Sequence, residues 1–427
     1  RRSIGDGNQN PIGYGEAKSS EQRLPPSIIF GVQQQHQPMM IFNSGPRYVN
    51  HLKYKQPKPY YMLSSGILFI FQVIVIIFIG CFYEYDSLNK PSNTINPESL
   101  KKTEQEIANN HIFFKNIHTM IFIGFGMLFT LLKHHNWSSI AINLLIAVIT
   151  IEFTFFSSYL WKNTFSEYTW QKYQLNFETF IFTEYNAVAV LITLGAVIGK
   201  LSIPQYFIMG ILESFTCTFN FYLCREKLGA IDTGGSMYIH LFGGVTGIVI
   251  SLVLFSKSVE RKKILTNQHK STNYMSTILA FIGTIFIWIL FPSFNSVLIK
   301  GKYIFPSRYR AIVNTYLSMC GSVIGSFSIN PFFNNGKMEI IQMLNSSYVG
   351  GVIIGSCSNI CGQAWAALLI GLLGGSLSSL GMSLLKKICD EKAYIEDILG
   401  IVHVFIIPGF LSGILSSIFV ADLSNIK

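Results

Sequence analysis

The residues best suited to chemistry lie in one stretch, Asp232 to Gly247, which reads DTGGSMYIHLFGGVTG. It belongs to an apolar run, 229–255, long enough to cross a bilayer as a helix, since about 20 residues at 1.5 Å rise span the hydrocarbon. Asp232 and His240 are costly in lipid. An ionisable side chain in such a run faces a bundle interior or a watery path and marks a functional site by default. Gly234, Gly235, Gly243, Gly244 and Gly247 remove bulk beside them and let neighbouring helices approach closely. The pattern points to a lumen beside packed helices, with His240 lining it.

A second copy follows. Asp397, Gly400 and Gly409 repeat Asp232, Gly235 and Gly244 at a common offset: 397 − 232, 400 − 235 and 409 − 244 each give 165. Internal repeats that place a site at their interface are a habit of membrane transporters.

These residues need membrane helices to position them. Of 427 residues, 50% are hydrophobic and 13% charged, where a soluble domain carries about 25% charged. The chain is therefore an all-α polytopic membrane protein. Spans are expected at 62–82, 112–133, 137–161, 177–199, 204–223, 229–255, 273–291, 309–328, 348–361, 364–385 and 396–421, eleven in all. Residues 1–60, polar and without period, read as a flexible cytosolic tail, 61–421 as the transmembrane domain, and 422–427 as a truncated tail.

Arg47, Lys53, Lys55 and Lys58 precede the first span, and Lys257, Arg261, Lys262, Lys263 and Lys270 follow the sixth. Both flanks are assigned to the cytosol by the positive-inside rule, which also accounts for the net charge of +10 without nucleic acid. Eleven crossings from a cytosolic start leave the end outside, so a twelfth helix is expected beyond it. Asn136 and Asn345, both in glycosylation triplets, then fall on cytosolic loops and carry no sugar.

Other polar residues in or near the spans are His118, Glu152, Glu178, Glu184, Glu213 and His403. Glu178 and His118 sit near span ends, whereas Glu184 and Glu213 are expected to be buried and hydrogen-bonded. Phe291 and Phe294, in FPSFNS, open the loop after the seventh span, and Tyr185 adjoins Glu184; aromatic faces hold small cations or close narrow paths. The seven cysteines show no metal-ligand spacing, and no nucleophile with base and no phosphate loop is present, so no enzyme, metal or cofactor is expected.

An ordered set of segments resembles the Rh glycoproteins, a branch of the ammonium transporter (Amt/Mep/Rh) family. These are FKNIHTMIFIGFGMLFT at 114–130, LGAVIGK at 194–200, DTGGSMYIHLFGG at 232–244, FIGTIFIWILFPSFNS at 281–296, AIVNTY at 311–316, GKMEII at 336–341, and IEDILGI to IIPG over 395–409. The resemblance implies a plasma-membrane homotrimer, each subunit holding its own narrow pore between two inverted five-helix repeats, with one extra helix at the front. It implies recruitment of ammonium at an external vestibule, passage of two stacked rings, and crossing of neutral ammonia through a hydrophobic lumen lined by two histidines.

By motif position, His240 matches the first lumen histidine, Asp232 the acid that steadies the vestibule and helix start, and Asp397 its repeat partner. Phe294 matches one ring of the phenyl gate, and Tyr185 takes the place of the other, with a hydroxyl that could bond a passing cation. The departure is at the second lumen histidine, which falls on Phe405. His403, two residues away, is about 200° round an ideal helix and faces elsewhere unless the helix is rewound. Two functions are carried forward: a channel for ammonia or ammonium, with methylamine or carbon dioxide as further neutral cargo, and a non-conducting or sensory Rh-like scaffold in which Phe405 plugs the lumen. An unrelated secondary transporter would explain buried charge and repeats but not the ordered segments.

Overall fold

The computed structural model describes residues 58–85, 97–131, 136–165, 171–255, 274–300, 303–388, 397 and 399–425. The expected tail up to residue 57 and the basic loop after the sixth span lie outside them. Eleven helices among the described residues are long and apolar enough to cross a membrane. They are α1 (Met62–Phe82), α2 (Ile107–Leu131), α3 (Ser138–Phe165), α4 (Phe177–Val197), α5 (Ile203–Lys227), α6 (Ser236–Leu254), α7 (Tyr274–Val297), α8 (Ile304–Phe333), α9 (Ile340–Cys357), α10 (Ala364–Leu384) and α11 (Val402–Ala421).

The 165-residue offset holds helix by helix. Adding 165 to the bounds of α2 through α6 lands on α7 through α11 to within about eight residues at each end. Five crossings, an odd number, separate each helix from its counterpart, so the two halves run in opposite directions. In their most apolar stretches α4 and α9, the middle helix of each half, are 89% buried, against 11% for α1, which stands outside the repeat. Two fully enclosed helices thus form the axis of the bundle, and the apolar side chains of α1 face outward.

The ninth span differs from expectation. It begins at Ile340, because Gln342, Asn345, Ser346 and Ser347, which read as loop, are buried. Asn345 Nδ2 donates to the Leu399 carbonyl at 3.0 Å, and Ser346 Oγ lies 3.3 Å from Ser378 Oγ. In a membrane interior a polar side chain is tolerated when another chain segment supplies its partner. Asn345 is therefore a packing residue, out of reach of glycosylation, and not a loop residue.

The seventh span also overruns its expected end. Pro292 reads as a stop signal, yet the helix runs through it to Val297 and buries Phe291, Phe294, Asn295 and Ser296. Two three-residue strands, β1 (Tyr83–Tyr85) and β2 (Tyr173–Leu175), pair in parallel with Tyr83 opposite Tyr173, a small exception to the all-helical reading. Burial pushes the Tyr83 phenol well above its ordinary pKa, so it stays protonated and donates to the Phe155 carbonyl at 2.8 Å.

α8 and α10 cross with backbones nearly touching. A Cβ built on Gly371 would fall on the Ser318 carbonyl, and one on Gly321 on the Leu368 carbonyl. Small residues permit this approach, and packing at such contacts, rather than hydrophobic driving force, holds membrane helices together. We expect Gly371→Val to lower the thermal midpoint of detergent-purified protein by several degrees, since overpacking costs about 1–3 kcal/mol. An unchanged midpoint would show that this crossing can open without loss.

Candidate functional site

The two copies of the Asp-containing motif fold alike. Gly235 and Gly400 both take the left-handed conformation, with φ of 68° and 75°, which glycine adopts without strain and other residues do not. Immediately after each glycine turn the backbone is wound as a π-helix, over Ser236–Leu241 and Val402–Ile406. Such wide turns leave amide hydrogens aimed at the preceding loop, and a carboxylate meets them. Asp232 accepts from the backbone N–H of Ser236 at 2.9 Å, Met237 at 2.7 Å and Tyr238 at 3.1 Å. Asp397 accepts from Ile401 at 2.7 Å and Val402 at 2.9 Å.

Asp232 reaches across the halves as well. Ser356 Oγ, at the end of α9, donates to Asp232 Oδ1 at 2.7 Å. Ser236 Oγ donates to the Val352 carbonyl at 2.7 Å, and the Gly234 N–H to the Gly355 carbonyl at 3.0 Å. The start of α6 is thereby sewn to the end of α9. Nothing in the sequence singled out Ser356, one of several small polar residues in GSCSN.

His240 lies on the rewound turn, fully enclosed. Phe405 stands at its repeat position, 240 + 165, and the two rings stack at 5.6 Å and 17°. Phe291 and Phe294 close the other sides of the imidazole at 5.7 Å and 5.6 Å. Neither imidazole nitrogen has a hydrogen-bond partner among the described residues. A buried polar atom left so costs about 1–3 kcal/mol, and such an exception in a folded chain calls for an unmodelled solute or a function.

Beyond His240 the Tyr185 and Phe294 rings stack face to face, with centroids 4.3 Å apart and planes within 4°. The Tyr185 hydroxyl donates to the Phe294 carbonyl, so it is engaged within the protein rather than held out for a passing cation. A cavity of about 10 Å³, lined by Phe182, Tyr185, Phe221 and Tyr238, adjoins this pair. Phe182 and Phe221 also line a much larger cavity of about 540 Å³ at the bundle end that carries β1, β2 and the start of α8. Vestibule, stacked rings, imidazole and Phe405 follow one another through a single chain.

The Ammonium Transporter Family profile matches residues 66–427. The chain belongs to this family. Within it, the relatives are of Rh type: Ammonium transporter Rh type A of Bos taurus is 32% identical over 352 residues, 82% of this chain and 80% of its own. Rhesus-like glycoprotein A of Dictyostelium discoideum is 31% identical, covering 86% of this chain and 69% of its own. The solved structure of Rh50 from Nitrosomonas europaea superposes with a TM-score of 0.65 at 26% identity, over 73% of this chain and 80% of its own. Mep2 of Saccharomyces cerevisiae matches at 0.60 and 17% identity, over 77% and 74%, a likeness of fold alone.

The remaining polar residues of this ammonium transporter family member fall into separate places. His118, half exposed on α2, approaches the buried Glu184 carboxylate at 2.7 Å, directly beside Tyr185. The Thr193 hydroxyl bonds the buried Glu213 carboxyl and lies 2.7 Å from the Gly243 carbonyl. Glu178 pairs with Lys300 at 2.6 Å on the cavity rim, and Glu152 accepts from Gln72 at 3.0 Å. His403 is turned away from His240: its Nδ1 lies 3.1 Å from Ser378 Oγ on α10, and its ring covers Gly400. The helix is rewound at 402–406, and it is still Phe405, not His403, that meets His240.

Replacing Asp232 tests the cap directly. Asp232→Ala orphans three backbone donors and Ser356 at once, and is expected to destabilise by at least about 2 kcal/mol. Asp232→Asn, which keeps an acceptor, should lose less. Thermal midpoints in detergent decide it; an Ala variant as stable as the parent would remove Asp232 from its place as organiser of the turn.

Proposed function

We propose that the protein is an Rh-type channel that passes ammonia through a narrow hydrophobic lumen within each subunit of a plasma-membrane homotrimer. The observation that carries the reading is His240, enclosed by Phe291, Phe294 and Phe405, with both ring nitrogens unpartnered among the described residues. Imidazole offers one donor and one acceptor, and ammonia can meet either. A small solute arriving there satisfies groups that the fold leaves waiting. Rh50 of Nitrosomonas europaea, a structural neighbour, is described with the mechanism of conduction by the Rhesus family of channels.

Physical cost selects the species. Moving an unsolvated ammonium into such a site costs on the order of tens of kcal/mol in an idealised medium of low dielectric, against roughly 2–7 kcal/mol for a neutral polar group that loses its hydrogen bonds. Neutral ammonia passes and the proton stays behind. In this role the stacked Tyr185 and Phe294 rings form the gate above the lumen, Asp232 and Asp397 hold the two turns that bring residues 240 and 405 to the axis, and Phe405 narrows the path. The same argument of cost and width covers methylamine and carbon dioxide.

One observation favours a second reading. The near-parallel stack of Phe405 on His240 fills the place where a second imidazole would continue the path, and a closed lumen would make the chain a non-conducting scaffold or sensor. Flux separates the two. Proteoliposomes given an ammonium gradient should alkalinise faster than empty vesicles, and Phe405→His should raise the rate severalfold. Rates equal to empty vesicles for both proteins would overturn conduction; a parent that is silent beside an active Phe405→His variant would assign the block to the ring and leave the scaffold reading standing.

A further inference from the structure

The large cavity has the wrong sign of charge for a cation. Lys162, Lys172, Arg225, Lys300 and Arg308 line it, five cationic side chains against two carboxylates, Glu178 and Glu226. Glu178 is held by Lys300 at 2.6 Å, and Glu226 lies beside Arg225 at 3.9 Å. Three positive charges remain in excess among the described residues. A cleft lined by one sign of charge with low-dielectric walls focuses its field and concentrates the opposite ion.

Arg308 gives this field a centre. It is 9% exposed, at the start of α8, and its guanidinium stands 5.0 Å over the Phe113 ring. One terminal nitrogen donates to the Val297 carbonyl at 2.9 Å, while the buried Nε has no hydrogen-bond partner among the described residues. Arg308 is within electrostatic reach of Glu178 but makes no ion pair with it. Guanidinium presents a planar fork of donors matched to an oxyanion. The Lys162 ammonium, 4.3 Å over the Tyr173 ring, stands within reach of Lys300 on the same wall. Like charges gathered around an incompletely bonded guanidinium in a concave, roomy site are completed by an anion.

We propose that this cavity is a binding site for a small oxyanion of the phosphate class, held on Arg308 with Lys162 opposing it. The site lies outside the lumen and does not depend on whether ammonia passes, so direct binding tests it apart from flux. An anion seated there would cancel the excess charge that otherwise repels ammonium from the mouth of the path.

The oxyanion can come from solution or from a lipid headgroup, and the experiment has an arm for each. Radiolabelled inorganic phosphate is titrated onto the full-length protein in nanodiscs of zwitterionic lipid at fixed ionic strength. Saturable binding is expected, weakened about tenfold or more by Arg308→Gln, as loss of a charge-assisted hydrogen bond implies, less by Arg308→Lys, and severalfold by Lys162→Gln. Displacement of phosphate by anionic lipid in the nanodisc identifies the headgroup as occupant, and its persistence identifies the soluble ion. Should Arg308→Gln fail to fold, the exposed Lys162→Gln still reads the site. Non-saturable uptake, or an affinity that neither substitution alters, would overturn the proposal.

Discussion

The structure depends on satisfying backbone amides where no water is available. A π-wound turn opens the hydrogen-bond ladder at the point where the chain approaches the axis, and unpaired donors in an apolar interior are penalised heavily. Asp232 and Asp397 answer that demand, each accepting the loose amides of the turn it precedes. The carboxylates are costly to bury and are kept because the alternative, two orphaned turns at the centre of the bundle, costs more. With the turns fixed, residues 240 and 405 have no choice of direction.

Much of this was visible in the residues. Asp and Gly spaced alike at two places 165 apart foretold a duplication that extends over five helices, and the buried Glu184 and Glu213 were readable from their positions within apolar runs. The parts that were not legible share one cause. Asn345, Ser346 and Pro292 are polar or helix-breaking by local propensity, and only partners from distant segments make them helical interior. Ser356 is likewise ordinary in sequence and becomes a ligand of Asp232 through the meeting of the two halves. The rewinding at 402–406 could not be anticipated from composition, yet it leaves the facing residue where a plain count from Pro408 and Gly409 had placed it.

The aromatic residues divide into two functions by geometry. Tyr185 and Phe294 are clamped, since the tyrosine hydroxyl is spent on the backbone of its stacking partner, which makes the pair a single rigid plate. Phe291 and Phe405 instead flank the imidazole with no polar tether of their own. A fixed plate above a greasy chamber sets a size limit, while the chamber sets the penalty for charge. Neither needs a moving part.

The two halves are related by inversion, but the pair at 240 and 405 is not. Among the described residues the imidazole has no second titratable ring facing it, since His403 is committed to the opposite side of its helix. A proton taken up at His240 therefore finds no acceptor further along and must leave by the way it came. A conduit of this kind carries no current: membrane voltage has nothing to pull on across its length, and the concentration difference of the uncharged gas alone drives net movement.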